Sequence, residues 1–265
     1  MGNSLNPVVP VRTIAPYIGG KRVLAGRIVE RINAVQHSAY IEPFVGMGGV
    51  FFRRTHRPRS EVINDISSEI TTLFRILQRH FQQFLDVLKW QIASRAEFDR
   101  LIRVDPTTLT DLERAARFLY LQRMRFGGVV QGKAMGVDPH AGARFNLSKL
   151  VPLLEDVHDR LAPVVIERLR YDVLISRYDR PGALFYLDPP YWDSEDVYGA
   201  GIFSKADYEL LRGILAGLKG RFILSLNDRP EVREIFGAFD IEEVDVNYRA
   251  SGRVTPAREL IISGP

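Results

Sequence analysis

Strand-like and helix-like segments alternate along this chain, and the alternation limits the possible folds more than any other feature. The apolar run Ala183–Leu187 precedes a helical segment that begins near Ser204, and the strand-like "RFILSLND" follows that helix. Ser204 and Asp207 have the spacing of a capping box, and Gly220 is in place to end the helix. Strands that alternate with helices form a mostly parallel sheet with helices on both faces. We therefore predict an α/β fold.

The composition excludes several kinds of site. The chain has 265 residues, enough for one large domain or for one domain with an insertion. It has no cysteine, which excludes disulfides, thiolate metal sites and a cysteine nucleophile, and its five histidines lack the spacing of metal ligands. We therefore expect no metal. Neither a membrane-spanning stretch nor a signal peptide is visible, so we expect a cytoplasmic protein that does not contact membranes.

Three predicted strands end in groups that an active site could use. The strand Ala39–Ile41 continues into "EPFVGMGG", "SEVIND" ends on Asp65, and "ALFYLD" ends on Asp188. Ligands of open α/β sheets bind at the carboxyl ends of the strands, so we expect the three segments to meet in one crevice. Asp65 is placed either to bond the two hydroxyls of a ribose or to cap the following helix.

The segment "DPPY" (188–191) suits a particular substrate group. The Asp188 carboxylate and a backbone carbonyl can both accept hydrogen bonds from one exocyclic amine, and Pro189 keeps the backbone there extended. Tyr191 offers a flat face on which a base can stack. The segment therefore predicts a site for an amine on an aromatic ring whose nitrogen is turned toward an electrophile.

Basic residues are unevenly distributed. The formal net charge is +4, and residues 114–149 carry seven Lys or Arg against one acidic residue. A second basic run is "RRTHRPR" (53–59). Either run indicates a solvated face or a surface for a polyanion. The Gly-rich stretch after a helix at Leu109–Met124 resembles a hairpin or long loop, which favours a small lobe in this part of the chain.

Several motifs in one order resemble the Dam-type (D12 class) family of DNA adenine-N6 methyltransferases. They are "YIGGK", "EPFVGMGGVFF", "IND", "RYDV", "LDPPYW", "FILSLND" and "YRASGRVTPARELIIS". The resemblance spans nearly the whole chain. It implies a Rossmann-like S-adenosylmethionine-dependent methyltransferase fold with a mostly parallel seven-stranded sheet. Residues 1–66 and 150–265 would form the catalytic domain, and residues 67–149 an inserted, mostly helical target-recognition lobe that contains a hairpin.

The resemblance also assigns roles to individual residues. The catalytic residues would be Asp188, Pro189, Pro190 and Tyr191. The residues that hold S-adenosyl-L-methionine would be Tyr17, Lys21, Pro43, Phe44, Gly46, Asp65, Asp172 and Asp188. The residues that contact double-stranded DNA would be Lys21, Arg123, Arg125, Arg144, Arg249 and Arg253. The target adenine would leave the duplex to reach Asp188. We expect a monomer, with a cognate restriction endonuclease as a partner encoded nearby.

Two departures from the family leave the recognition sequence open. The first motif has Tyr-Ile where better-known members have Trp-Ala, and "LYLQRMRFGG" lacks the Asn-Arg pair of several members. Three alternatives keep parts of the pattern. N4-cytosine and RNA amino-methyltransferases use the same amine chemistry, and a DNA-binding homologue could have lost catalysis. The intact Asp65 and "DPPY" segment argue against the inactive homologue, and glutamine-methylating enzymes tend to carry Asn in place of Asp188.

Overall fold

The structure is a computed structural model. It describes residues 5–17, 19, 21, 23–125, 127, 132, 134–136, 142–199, 201–250 and 253–264, and of residues 196, 198, 248–250, 253 and 254 it describes the backbone alone.

A seven-stranded sheet organises the described part of the chain. Its strands are β2 (Ala39–Glu42), β4 (Ser60–Asn64), β5 (Val165–Glu167), β6 (Ala183–Leu187), β7 (Arg221–Asn227), β8 (Asp240–Ala250) and β9 (Arg253–Gly264). They lie in the order β5-β4-β2-β6-β7-β9-β8, and within this sheet β9 alone runs antiparallel to its neighbours. Two short strands, β1 (Asn6–Pro7) and β3 (His56–Arg57), pair separately. The predicted Rossmann-like, mostly parallel sheet is confirmed.

Helices cover both faces of the sheet, as predicted. They are α1 (Ala25–Ala34), α2 (Ser68–Arg79), α3 (Phe81–Leu88), α4 (Arg95–Arg103), α5 (Asp111–Met124), α6 (Leu147–Leu161), α7 (Tyr171–Tyr178), α8 (Lys205–Ala216) and α9 (Pro230–Phe236). Between α5 and α6, the described residues include one antiparallel bridge, Arg125 to Met135. Most of the predicted hairpin lies outside the described residues.

Helix α8 shows one correct and one wrong expectation. Its predicted capping box is present, because the Ser204 backbone N–H and hydroxyl donate to the Asp207 carboxylate at 2.8 and 2.7 Å. The helix ends at Ala216 with Gly217 as its cap, so the expected end at Gly220 is wrong. Gly220 instead lies where the chain enters β7, and a Cβ there would come within 2.7 Å of the Ala183 carbonyl oxygen. This glycine serves strand packing.

Successive strand residues alternate between two apolar cores. The first core includes Tyr40, Tyr186 and Ile223 and packs against α1, α2, α5 and α6. The second includes Ile41 and Phe185 and packs against α7, α8 and α9. Buried apolar residues of α3, α4 and α5 belong to the first core, so these helices of the segment 67–149 pack on the face of the sheet that the first core covers. That this segment forms a distinct recognition lobe stays a prediction.

A buried ionic cluster ties β4 to α6. Glu61 accepts a hydrogen bond from Arg54 at 2.6 Å and two from Arg160 at 2.6 and 2.7 Å. The Arg54 guanidinium lies 3.7 Å from the centre of the Tyr40 ring, and that of Arg160 lies 4.1 Å from the centre of the Phe51 ring. Arg54 belongs to the basic run 53–59, but it is fully buried. For Arg54 the expected solvated or polyanion-binding surface is therefore wrong.

Candidate active site

Adjacent strands direct polar side chains to one edge of the sheet. Tyr186 points into the first core, and Asp188 lies two residues further along the same side. The neighbouring strand β7 contributes Ser225, whose hydroxyl lies 2.9 Å from the Tyr186 hydroxyl and donates to Asp188 Oδ1 at 3.3 Å. Strand β9 lies next to β7, and its residue Glu259, which is buried, pairs with Asn227 of β7. The carboxyl ends of β6 and β7 and the facing part of β9 thus carry the groups around Asp188.

Lys21 connects these groups. Its Nζ lies 2.8 Å from Asp188 Oδ1 and 3.7 Å from Glu259 Oε2. It donates a hydrogen bond to the Tyr191 hydroxyl and lies 4.0 Å from the centre of the Tyr191 ring. Lys21 is 4% exposed, so one buried ammonium stands between two carboxylates. Three residues that the sequence predicts for the site, Lys21, Asp188 and Tyr191, are therefore in direct contact.

Burial sets the electrostatics of this site. It raises the pKa of Asp188 to about 6, and the Glu259 charge adds to the rise, while Lys21 and the Ser225 hydrogen bond oppose it. Burial, together with the Asp188 and Glu259 charges, also raises the pKa of Tyr191. Two carboxylates, Asp188 and Glu259, thus face the single Lys21 side chain, an arrangement that favours an additional positive charge.

The "DPPY" turn is held from two sides. The Tyr208 hydroxyl of α8 donates to the Pro190 carbonyl at 2.8 Å. The Asn227 side chain at the end of β7 accepts from the Trp192 N–H at 3.0 Å and donates to the Trp192 carbonyl at 3.1 Å. Pro189 and Pro190 are buried. The rigidity that the two prolines predict is reinforced by contacts that the motif does not show.

The glycine loop after β2 is joined to the end of β4. Asp65 accepts from the Gly46 N–H at 3.0 Å and from the Ser67 N–H at 2.9 Å. Gly46 has φ +51°, and a Cβ there would lie 3.1 Å from the Tyr17 ring. Burial raises the pKa of Asp65 to about 6, against the effect of the two backbone donors. Each carboxylate oxygen keeps a second lone pair, so Asp65 can still accept from ligand hydroxyls.

Of the other predicted cofactor residues, Pro43 and Phe44 lie along the same loop and Asp172 lies in the first turn of α7. The Pro43 carbonyl accepts from the Asn64 side chain at 2.8 Å. The Phe44 ring centre is 5.5 Å from that of Tyr171 in the first turn of α7. Asp172 follows Tyr171 and accepts from the Arg170 side chain at 2.9 Å. The structure thus connects Asp172 to the glycine loop through the Phe44–Tyr171 contact.

Three of the predicted DNA-binding residues, Arg123, Arg125 and Arg144, form a group separate from the Lys21 site. Arg123 in α5 donates to the Ile14 carbonyl at 2.6 Å and to the Arg144 carbonyl at 2.9 and 3.1 Å. Arg144 in turn donates to the Arg125 carbonyl at 3.2 Å. Arg123 therefore anchors the segment that leads to Tyr17, and its contact with DNA stays a prediction, as do those of Arg125 and Arg144. The side chains of Arg249 and Arg253 lie outside the described residues.

Sequence reasoning did not identify Glu42, Ser225 and Glu259 as site residues. Burial raises the pKa of Glu42, the last residue of β2, to about 8, and its carboxylate accepts from the Tyr40 hydroxyl at 2.6 Å. Glu42, Ser225 and Glu259 all lie on the face of the sheet toward which Asp188 also points. Among the described residues, no group of three or more His, Cys, Asp or Glu side chains could hold a metal.

Comparison with known proteins decides the family. The model of the D12 class N6 adenine-specific DNA methyltransferases matches residues 17–250. The chain belongs to this family. The D12 class chain is 27% identical to the type II methyltransferase M1.LlaDCHI of Lactococcus lactis subsp. cremoris, over 96% of this chain and 94% of that protein. It is 24% identical to the type II methyltransferase M.CviBI of Paramecium bursaria Chlorella virus NC1A, over 92% and 95%.

Among solved structures, the D12 class chain resembles precorrin 8w decarboxylase of Methanobacterium thermoautotrophicum with a TM-score of 0.44 and 13% identity, over 97% of this chain and 100% of that one. Family membership makes the chain an adenine-specific DNA methyltransferase. In the part of the chain that the structure describes, no helix has the length and apolar character needed to cross a membrane.

Proposed function

We propose that this enzyme transfers the methyl group of S-adenosyl-L-methionine to N6 of an adenine that has left the DNA duplex. One observation carries the proposal. Asp188 is held on a fixed turn beside the Tyr191 ring, in contact with Lys21, at the carboxyl end of β6. An acceptor carboxylate next to an aromatic face is the arrangement that an amino group on a flat base requires.

The residues present fit the proposed cofactor. At Gly46, the Tyr17 ring occupies the place of a side chain, so the glycine lets Tyr17 pack on the loop, and the two form one wall of a cradle. Asp65 lies beside this cradle and retains free acceptor capacity. Tyr17, Lys21, Pro43, Phe44, Gly46, Asp65, Asp172 and Asp188 are the residues that would hold S-adenosyl-L-methionine. When bound, it supplies an electrophilic methyl group on a cationic sulfur, and the surplus negative charge around Lys21 suits that cation.

Asp188 has two tasks in this proposal. In its ionised form it accepts a hydrogen bond from the N6 amine, which favours the development of positive charge on that nitrogen as its lone pair forms the new N–C bond. The methylated nitrogen then loses one proton, and a carboxylate whose pKa is about 6 can accept it and release it to water. Tyr191 would stack on the base, and the Pro189 carbonyl would accept the second amine hydrogen.

The DNA contacts belong to the same proposal. A base inside a duplex cannot reach a carboxylate that is 18% exposed at the end of β6, so the target adenine must be extruded. Arg125 and Arg144 would contact backbone phosphates together with Lys21, Arg123, Arg249 and Arg253. Residues 67–149 would form the lobe that reads the recognition sequence. We further propose that the enzyme acts as a monomer and that a restriction endonuclease of the same specificity is encoded nearby.

The test is to express the protein in cells that lack adenine methylation and to sequence their DNA for N6-methyladenine. Asp188→Asn, which keeps the shape of the side chain, serves as the inactive variant, and Asp193→Asn on an exposed loop serves as the matched control. We expect methyladenine at one sequence motif with the wild-type and Asp193→Asn proteins and none with Asp188→Asn. N4-methylcytosine in place of methyladenine, or no DNA methylation by a folded protein that binds S-adenosyl-L-methionine, would refute the proposal.

A further inference from the structure

Glu259 is a buried carboxylate that has no contact with the reacting atoms in the proposed methyl transfer. It is 1% exposed, and in the present arrangement it interacts with the Tyr191 hydroxyl but makes no hydrogen bond to a cation among the described residues. A buried carboxylate is costly to the folded state unless a charge-assisted hydrogen bond offsets the loss of its hydration, so a second arrangement of the site should supply such a bond. Among the described residues, the cation within ion-pair distance of Glu259 is Lys21, whose Nζ lies 3.7 Å from Glu259 Oε2.

The present position of Lys21 interferes with the proposed roles of Asp188 and Tyr191. In the present arrangement it lies 2.8 Å from Asp188 Oδ1, where Ser225 donates as well. An ammonium at this distance weakens Asp188 as an acceptor for the substrate amine and for the proton that the product must lose. It also lies against Tyr191, 4.0 Å from the centre of the ring on which the base is proposed to stack.

We propose that Glu259 is the second acceptor of the Lys21 ammonium. When the amine of the target base takes its place at Asp188, Lys21 moves from Asp188 to Glu259. The movement is small, since a reduction of about 1 Å in the present 3.7 Å separation produces a charge-assisted hydrogen bond. Glu259 is thus a positioning residue, which acts on the reaction through Lys21 and leaves Asp188 with its full negative charge. The inference rests on the proposed function, because it assumes an amine at Asp188.

A double-mutant cycle tests this exchange. The measurement is the single-turnover rate of methyl transfer at saturating tritiated S-adenosyl-L-methionine. The substrate is an unmethylated duplex oligonucleotide that contains the sequence motif at which the wild-type protein makes methyladenine. In Glu259→Gln, the Lys21 ammonium has no second carboxylate and stays bonded to Asp188. We therefore expect the rate to fall about ten- to a hundredfold, the range of one charge-assisted hydrogen bond. In a Lys21→Met background there is no ammonium for Glu259 to accept, so Glu259→Gln should lower the rate by less than about threefold.

The pH dependence gives a second, independent readout. The groups that face Asp188 are Lys21, Ser225, Tyr186, Tyr191, Glu42 and Glu259. Because the Glu259 charge helps to raise the pKa of Asp188, Glu259→Gln should move the acid limb of the transfer rate to lower pH. A purely structural loss would lower the rate at every pH and leave that limb unchanged. Cooperative thermal unfolding and saturable calorimetric binding of S-adenosyl-L-methionine show that the variant is folded.

The outcomes separate the two proposals. Wild-type protein that makes no methyladenine refutes the proposed function and with it the exchange. Active wild-type protein in which Glu259→Gln has no effect, or costs the same factor with and without Lys21, refutes the exchange alone. A Lys21→Gln variant that transfers methyl groups at the wild-type rate would overturn it in the same way.

Discussion

Replacing Asp188 with Asn should stabilise the folded protein while it abolishes methyl transfer. The folded environment raises the pKa of this carboxyl group from its ordinary 3.8 to about 6, mainly through burial. The folded protein therefore holds the Asp188 proton more tightly than the unfolded chain does. Above pH 6 the group is ionised in both states, and its charge disfavours the folded one. Asparagine has nearly the same shape, keeps an oxygen for Lys21 and Ser225, and carries no charge.

The magnitude follows from the difference in pKa. A rise of about two units corresponds to about 3 kcal/mol at pH 7 to 8, since one unit is worth about 1.4 kcal/mol. The destabilisation begins as pH rises through the unfolded-state value near 4, reaches about 1.5 kcal/mol at pH 5, and is constant above the folded-state value near 6. For a chain of this size, 3 kcal/mol corresponds to an increase of about 6–12 °C in Tm.

Urea unfolding at pH 5, 6, 7 and 8 measures this effect. The free energy of unfolding of Asp188→Asn should exceed that of the wild-type protein by about 3 kcal/mol at pH 8 and by about half as much at pH 5. Asp193→Asn is the matched control, because Asp193 is 57% exposed and its φ of +67° is one that asparagine also adopts. A variant that is less stable than wild type, or a difference that does not change with pH, would refute the assignment of a burial cost to Asp188.

Two further changes test the frame that holds the site. Glu61→Gln weakens the pairing of two buried arginines and should lower the free energy of unfolding by about 3–5 kcal/mol in a urea titration; a loss below about 1 kcal/mol would contradict the cluster's role. Gly48→Ala places a Cβ 2.4 Å from the Phe52 ring at φ +72°, so thermal unfolding should show a loss of at least about 2 kcal/mol together with weaker cofactor binding. Gly213→Ala, where the added Cβ meets nothing within 4 Å in α8, is its control and should stabilise by about 0.5–1 kcal/mol.

The parts of the fold that sequence reasoning predicts are those with strong local signals. Buried apolar runs such as Ala183–Leu187 and the cap at Ser204 identify β6 and α8 without knowledge of their neighbours. By contrast, β5 (Val165–Glu167) has three residues and lies at the sheet edge, so its apolar pattern is too short to distinguish. A run of basic residues in the sequence predicts a solvent-exposed surface, and this prediction fails where a basic side chain is buried. Arg54 belongs to such a run but is paired with Glu61 inside the core.

The active site divides in the same way between local and non-local information. Asp188 and Tyr191 lie within one tetrapeptide, so the chemistry of that segment points to them directly. Glu259 has no local signal, because its place beside Lys21 depends on the register that sets it opposite Asn227 in an antiparallel pair. A period-two reading of "ELIIS" puts Glu259 on the same side as Ile261 but does not say which strand lies next to it. What brings a second carboxylate to Lys21 is therefore the topology of the sheet, and only a structure reveals that a second acceptor for the ammonium lies within reach.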